Sequence, residues 1–393
     1  MSLSLSEILT IAEKHKFVRI IPSTNIDSLL ASGILLKILK ENNIEASLTL
    51  NTRIFAETHK HVPTILIDLP KPENNSDLDN VFTLQYNEDS SISAHIVSFF
   101  EQQKGVDSWS KILSLIAGIY RGLDIGKDGF QGLEREILED LSRRDLISVD
   151  FGFRFWGWGR AKLVEILTRT LIPYIPGYTG ERSKAEKLVK DLLGLDDPET
   201  ATSTHIFLET EPERAKKFAQ YLYETMLGDE ELKKKVILRL IGHTYSVELY
   251  GYDIDVLEIY GSLEVFNSLE EKNPIYLALM SLYENTIFHI LAIYKDLIDL
   301  LSVEISAIMQ EILDNKTYIV DAHTLQRPEL LVDILTSIGK LPKDKPIILK
   351  KDNTLYTSLS ELLRTGNDPR ILYNHCNEKQ LCKVNEDGSI YTG

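Results

Sequence analysis

Residues 17–43 read FVRIIPSTNIDSLLASGILLKILKENN. The opening FVRIIP has the composition of a short buried strand, and from Ile26 onward apolar residues recur at helical spacing. A strand, a polar loop and a helix in that order begin a parallel α/β sheet. Upstream, MSLSLSEILTIAEKHK reads as a helix: charges interrupt its apolar pattern, and the long apolar core of a signal peptide is missing. Downstream, ASLTL, TILIDLP and VFTLQ are further strand-like runs, separated by segments rich in Asn, Pro and Asp.

From Ser91 to about Gly194 the pattern turns helical, through SISAHIVSFFEQQ, SKILSLIAGIY, GLEREILEDLSRR, AKLVEILTRTL and SKAEKLVKDLLG. Helices dominate again from about Pro212 to Asp314, ending in an expected helix of about forty residues with Asn273 as cap and Pro274 in its first turn. Alternation then returns in TYIVDA, the helix PELLVDILTSIG, the strand IILK and short strands around LYTSL and LCKV. At 393 residues the chain is too long for one core, and two or three domains are expected. The predicted organisation is an α/β domain over 1–195, a helical insertion with a long connector over 196–315, and a smaller α/β domain over 316–393. No stretch is long and apolar enough to be read as a membrane span, because Glu284, Lys295 and Asp296 break the most apolar one.

The strand–loop–helix unit, a second strand ending in Asp68 and a third ending in a polar cluster together resemble the DHH phosphoesterases, over most of the chain. The resemblance implies a loop HxDxDG after the first strand, an Asp ending a later strand and an Asp-His-His triplet ending another. Between them these residues hold two Mn²⁺ or Mg²⁺ ions that activate water and clamp the scissile phosphate. Here the loop reads STNIDS, so Ser23, Asn25 and Asp27 stand at the His, Asp and Asp positions, and Ser28 replaces the glycine. Asp68 matches the second motif, while Gln85, Tyr86 and Asn87 occupy the triplet. Where a further ligating Asp is expected, the chain has Arg121 and Gly122, with Asp124 displaced. A C-terminal Gly-Gly-Gly-His signature corresponds at best to Leu372, Tyr373, Asn374 and His375, which lack the glycines that allow close backbone approach.

Two hard cations side by side need several carboxylate or imidazole ligands, and Asp27 with Asp68 supplies too few. The expectation is therefore a catalytically inactive relative with no metal and no cofactor. Asp27 and Asp68 then serve as strand-end or helix-cap residues, Asp27 accepting backbone N–H groups at a helix start. The segments GLEREILEDLSRRDLI and LIPYIPGYTGERSKAEKLVKDLLG are similar to archaeal RecJ-like proteins. A scaffold kept without its ligands resembles the GINS-associated RecJ homologues, counterparts of the eukaryotic factor that joins GINS and MCM in the replicative helicase. That resemblance implies a replication scaffold with GINS and MCM as partners, in a prokaryotic cytoplasm beside the nucleoid. Two other readings of the residues stay open: a metal-dependent nuclease or phosphoesterase with an atypical ligand set, and a stand-alone single-strand DNA-binding protein.

Charge bears on these alternatives. With 43 Lys and Arg against 59 Asp and Glu, the formal charge is -16, so a nucleic-acid contact must be local. A local candidate runs from Arg143 to Lys190, where ten basic residues face five acidic ones and Phe151, Phe153, Phe155, Trp156 and Trp158 interleave. Arg143, Arg144, Arg154, Arg160, Lys162, Arg182 and Lys184 are its candidate strand contacts; the alternative is an aromatic core beneath a solvated basic face. From Tyr245 to Asp314 thirteen acidic residues meet only Lys272 and Lys295. This stretch is either a solvated face or a docking surface for a basic partner, with Glu258, Glu264, Glu270 and Glu271 as candidate contacts. FGFRFWGWGR lacks the Lys-Ser/Thr ending of a phosphate loop and a suitable preceding strand. Cys376 and Cys382 form no disulfide framework, match no standard zinc signature with His375, and are expected to be unpaired loop residues in a reducing cytoplasm.

Overall fold

The computed structural model describes residues 5–53, 62–72, 80–207 and 210–391. Helix α1 (Leu5–His15) leads into β1 (Phe17–Pro22) and α2 (Ile26–Glu41), followed by β2 (Glu45–Leu48), β3 (Thr64–Ile67) and β4 (Val81–Leu84). These strands form a parallel sheet in the order β2-β1-β3-β4, with Ile20 opposite Ile65 and Ile67 opposite Leu84. Val18, Ile20 and Ile21 of the central strand are fully buried, as expected of a strand covered on both faces. Helix α2 is buried almost all round, which explains its apolar sequence. A Cβ at Gly33 would overlap the carbonyl oxygen of Ala278, so glycine is needed for that close approach.

Helices α3 (Ile92–Lys104), α4 (Ser108–Tyr120) and α5 (Gly132–Arg143) follow. Ser91 and Asp107 cap the first two by accepting from the Ala94 and Ser110 N–H groups. Next come β5 (Ile147–Phe153), α6 (Leu163–Arg169), α7 (Arg182–Leu193), α8 (Pro212–Thr225), α9 (Glu230–Leu240), β6 (Ile241–Leu249), β7 (Tyr252–Asp255) and α10 (Val256–Leu269). Strands β5, β6 and β7 build an antiparallel sheet where the periodicity predicts helices. The turn between β6 and β7 is Tyr250–Gly251, both at positive φ, a two-residue hairpin turn. Because α9 runs directly into β6, no turn residue marks the change of period. This sheet pairs residues on either side of the expected boundary near Leu195.

The expected forty-residue helix is two. Helix α11 (Asn273–Leu279) and a 3₁₀ turn over Met280–Leu282 precede α12 (Thr286–Asn315), which has 30 residues. Lys272, not Asn273, is the N-cap of α11, while Pro274 does lie in its first turn. The break lets Ala278, Met280 and Ser281 bury themselves, with Ala278 against α2 at Gly33. Helix α12 buries one stripe, Ile287, Ile290, Tyr294, Ile298, Leu301, Ile305, Ile308 and Ile312.

The last segment contains β8 (Ile319–Asp321), α13 (Glu329–Ser337), β9 (Ile348–Lys351), β10 (Thr354–Ser358), α14 (Leu359–Arg364), α15 (Pro369–His375) and β11 (Leu381–Lys383). Its sheet runs β11-β10-β9-β8, parallel only between β8 and β9. Ile21, Leu66 and Leu69 from the first sheet share a core with Ile348, Leu359, Leu372 and Tyr373. Polar contacts reinforce the junction: Gln380 Nε2 donates to the carbonyls of Pro22 (2.8 Å) and Leu50 (3.0 Å), Tyr373 Oη to that of Pro70 (2.5 Å), and Arg53 Nε to that of Cys376 (2.8 Å). The cysteines are not unpaired loop residues. Cys376, at the end of α15, and Cys382, in β11, are both buried and joined in a disulfide, which the reading of a thiol-only pair missed.

Candidate functional site

The carboxyl ends of β1, β3 and β4 carry the three degenerate motifs, where open α/β sheets ordinarily place their ligands. Asn25 caps α2: its Oδ1 accepts from the Ser28 N–H at 2.9 Å, and its Nδ2 donates to Ser23 Oγ (3.3 Å) and Asp68 Oδ2 (2.9 Å). Asp27 lies two residues past the cap of α2 and turns to α3 instead. It accepts from the N–H groups of Ile92 and Ser93, both at 3.0 Å, and from Ser93 Oγ at 2.9 Å. Asp27 thus accepts backbone N–H groups at a helix start, as the residues suggest, and the helix is α3. Asp68 ends β3 with φ 55, and its N–H donates to the Leu84 carbonyl.

Arg121, the C-cap residue of α4, bridges the two acids. Its Nε lies 2.9 Å from Asp27 Oδ2 and its Nη2 2.7 Å from Asp68 Oδ2. The Tyr86 ring lies under the guanidinium, 4.0 Å from Cζ, with the Tyr120 ring at 5.3 Å. Burial alone would lower the pKa of Arg121, but Asp27, Tyr120 and Asp68 outweigh it and the shift is upward. The Tyr86 hydroxyl is pushed up by burial, against the opposing pull of Arg121. A fixed organic cation thus sits between the carboxylates.

The third motif is occupied by local structure. Asn87 accepts from the Asp89 and Ser90 N–H groups and pairs with His95 Nε2 at 2.8 Å, while Gln85 is exposed. Burial lowers the pKa of His95, with Asp27 and Asp89 opposing. Glu134 of α5, which sequence reading passed over, is fully buried and accepts from the Ser91 N–H at 2.7 Å; burial raises its pKa. Asp124 is buried and paired with Arg154, and burial raises its pKa too. The residues present do not fit a two-metal centre, because Asp27 spends both oxygens on four donors and Asp68 shares its Oδ2 with Asn25 and Arg121. The degenerate C-terminal signature lies in α15, where Leu372 and Tyr373 are buried.

Other candidates fare differently. Arg154 is only 5% exposed, so it cannot be a strand contact; the pairing with Asp124 explains its burial. Phe153, Phe155 and Trp156 belong to the core. Arg160 is paired with Glu258, Arg182 with Glu186 and Glu199, and Arg143 and Arg144 lie near Asp140, while Lys162 and Lys184 are exposed. Among the acidic docking candidates, Glu264 is fully buried beside Asp333, because α10 is apolar nearly all round, and it is no surface residue. Glu270 is exposed, Glu271 bonds Lys379 at 2.9 Å, and Glu258 is mostly covered.

The solved structures provide the comparison that matters. CDC45 from Entamoeba histolytica is similar over 94% of this chain and 89% of its own, with a TM-score of 0.56 and 12% sequence identity. The fold is CDC45-like. RecJ from Thermus thermophilus, solved with Mn²⁺, covers 89% of this chain and 46% of its own at a TM-score of 0.35 and 10% identity. No family model and no curated protein matches the sequence. Among the described residues no helix is long and apolar enough to cross a membrane.

Proposed function

We propose that this chain is a non-catalytic DHH-type scaffold of the archaeal replication fork, one that binds GINS and activates the MCM helicase. The observation that carries the non-catalytic part is the Arg121 bridge between Asp27 and Asp68. A divalent ion would have to expel the Arg121 guanidinium from between the two carboxylates and would then find too few oxygens to hold a second ion. The CDC45-like fold, spanning nearly the whole chain, supports the scaffold part, and the net charge of -16 favours protein partners over free nucleic acid.

The test has two arms. With Mn²⁺ or Mg²⁺ supplied, single-stranded DNA, RNA and dinucleotides stay intact; activity that disappears in Asp27→Ala/Asp68→Ala would establish a nuclease instead. In gel filtration at moderate salt the purified chain co-elutes with GINS, and the complex raises MCM unwinding. A folded sample that binds neither partner overturns the scaffold reading. Charge reversal at the exposed Glu270 weakens one of these contacts and leaves circular dichroism unchanged, since exposed substitutions usually cost within about 0.5 kcal/mol.

A further inference from the structure

The outward face of the β5-β6-β7 sheet carries a cavity of about 260 Å³ that is remote in sequence from the motif loops. Strand alternation places Asp150 and Gly152 of β5, Thr244 and Ser246 of β6, and Asp253 and Asp255 of β7 on this face, with Thr244 opposite Asp150 and Ser246 opposite Asp255. The other face points Tyr245, Val247 and Ile254 into the core. Trp158 and Phe207 form the aromatic wall, ring centroids 5.8 Å apart, and Gly152 leaves the floor open beneath the Trp158 indole. Asp150 and Asp253 are exposed at the rim. Arg160, the basic residue among the lining, is already paired with Glu258.

Asp255 is the independent observation. It is 7% exposed and lines the same cavity; its Oδ1 accepts from the Leu257 N–H at 2.9 Å, and its buried Oδ2 has no hydrogen-bond partner among the described residues. A buried carboxyl oxygen left unmatched is costly unless something supplies a donor. The aromatic wall and the carboxylates ask for a planar cation with several N–H groups, because a guanidinium can stack on rings and bond carboxylates at once, which an ammonium cannot. The volume suits one side chain and falls short of ordinary small-molecule sites, at about 300 Å³ and above. We propose that this cavity receives an arginine side chain from a partner polypeptide, its guanidinium against Trp158 and Phe207 and bonded to Asp255 and Asp253. The inference stands apart from the replication reading, since no residue of the Asp27–Arg121–Asp68 bridge lines the cavity.

Protonation couples to this binding. Burial pushes the Asp255 carboxyl up to about 8, with Glu258 of α10 adding to the rise and Arg160 and Arg154 opposing it; the Tyr294 hydroxyl of α12 is the other titratable group facing it. An entering guanidinium favours the carboxylate, so binding near pH 7 releases a proton and tightens toward pH 8.

The experiment is titration calorimetry on the full chain with acetyl-Gly-Arg-Gly-amide, its citrulline analogue and a short oligothymidylate, in two buffers of different ionisation heat. The arginine peptide binds with proton release, and the citrulline peptide, isosteric but neutral, binds at least about tenfold more weakly. Asp255→Asn keeps a competent helix cap, weakens the arginine peptide by about tenfold or more and abolishes proton release; Asp253→Asn, at an exposed position, weakens it as well. Equal affinity for the citrulline peptide, no binding of the arginine peptide, unchanged affinity in both folded variants, or competition by the oligothymidylate each overturns the proposal.

Discussion

Replacing Arg121 by Met removes the cation and keeps an unbranched side chain of similar reach. Asp27, with no exposure, then loses its cationic partner, though the Ile92 and Ser93 N–H groups and Ser93 Oγ still donate to it. Asp68 is 23% exposed and keeps Asn25, so water and one amide absorb part of its loss. Breaking a buried ion pair from one side costs about 3–5 kcal/mol, and the surviving donors put this site at the lower end, about 3 kcal/mol, including the lost stacking on Tyr86. Asp27→Asn is also destabilising, because it leaves Arg121 with Asp68 alone. The double variant Asp27→Asn/Arg121→Met should cost less than the two singles together, by about 1–3 kcal/mol of coupling. Urea unfolding followed by circular dichroism and by tryptophan fluorescence reads these values, provided the two probes coincide. Millimolar Mn²⁺ should raise the midpoint of Arg121→Met more than that of the parent, since only the variant frees carboxylate oxygens for an ion. A single variant within about 0.5 kcal/mol of the parent, or strict additivity in the cycle, would refute the bridge as the feature that closes this site.

Two further outcomes follow from burial. Arg154→Glu should destabilise the fold by about 3–5 kcal/mol, seen in urea midpoints, because it sets two carboxylates together beside Asp124, whereas Arg160→Glu with Lys162→Glu should leave the far-ultraviolet dichroism intact. The Glu264–Asp333 pair makes stability depend on pH: burial pushes Asp333 up to about 7 and Glu264 well above its ordinary range. With folded values above unfolded ones, the native state holds more protons. The contribution is therefore full below about pH 4 and is lost as pH rises through about 7. Glu264→Gln/Asp333→Asn should flatten that decline in a series of thermal melts; an unchanged slope would show that the pair does not govern it.

The sequence read most clearly where apolar runs and motif positions coincide. FVRIIP, TILIDLP and VFTLQ became the parallel strands β1, β3 and β4; Asp68 directly follows β3, and Asp27 lies in the first turn of α2 after the β1 loop. The bridge between them was not legible, because Arg121 lies 94 residues from Asp27 and 53 from Asp68 and is joined to them only by the packing of α4. Which helix start Asp27 serves was not legible either: Asn25 caps the nearer one, and Asp27 reaches α3, 65 residues on. The second sheet was missed because β5 is exposed along its middle and β6 follows α9 with no breaker between them. Burial of Glu264 did have a signal: VLEIYGSLEVFNSL is apolar on nearly every side, so a charge in its middle has little surface to reach, while Glu258 near its start pairs with Arg160.

The junction between the first and last sheets sets a population. For the terminal unit to swing away from the first sheet, the bonds from Gln380, Tyr373 and Arg53 would have to break together. At about 1 kcal/mol for each of these four bonds, the hinged-open conformer would hold on the order of one molecule in a thousand, before the shared apolar core adds its own resistance. At any moment nearly every molecule therefore keeps the terminal unit seated on the first sheet, so the two sheets move as one body.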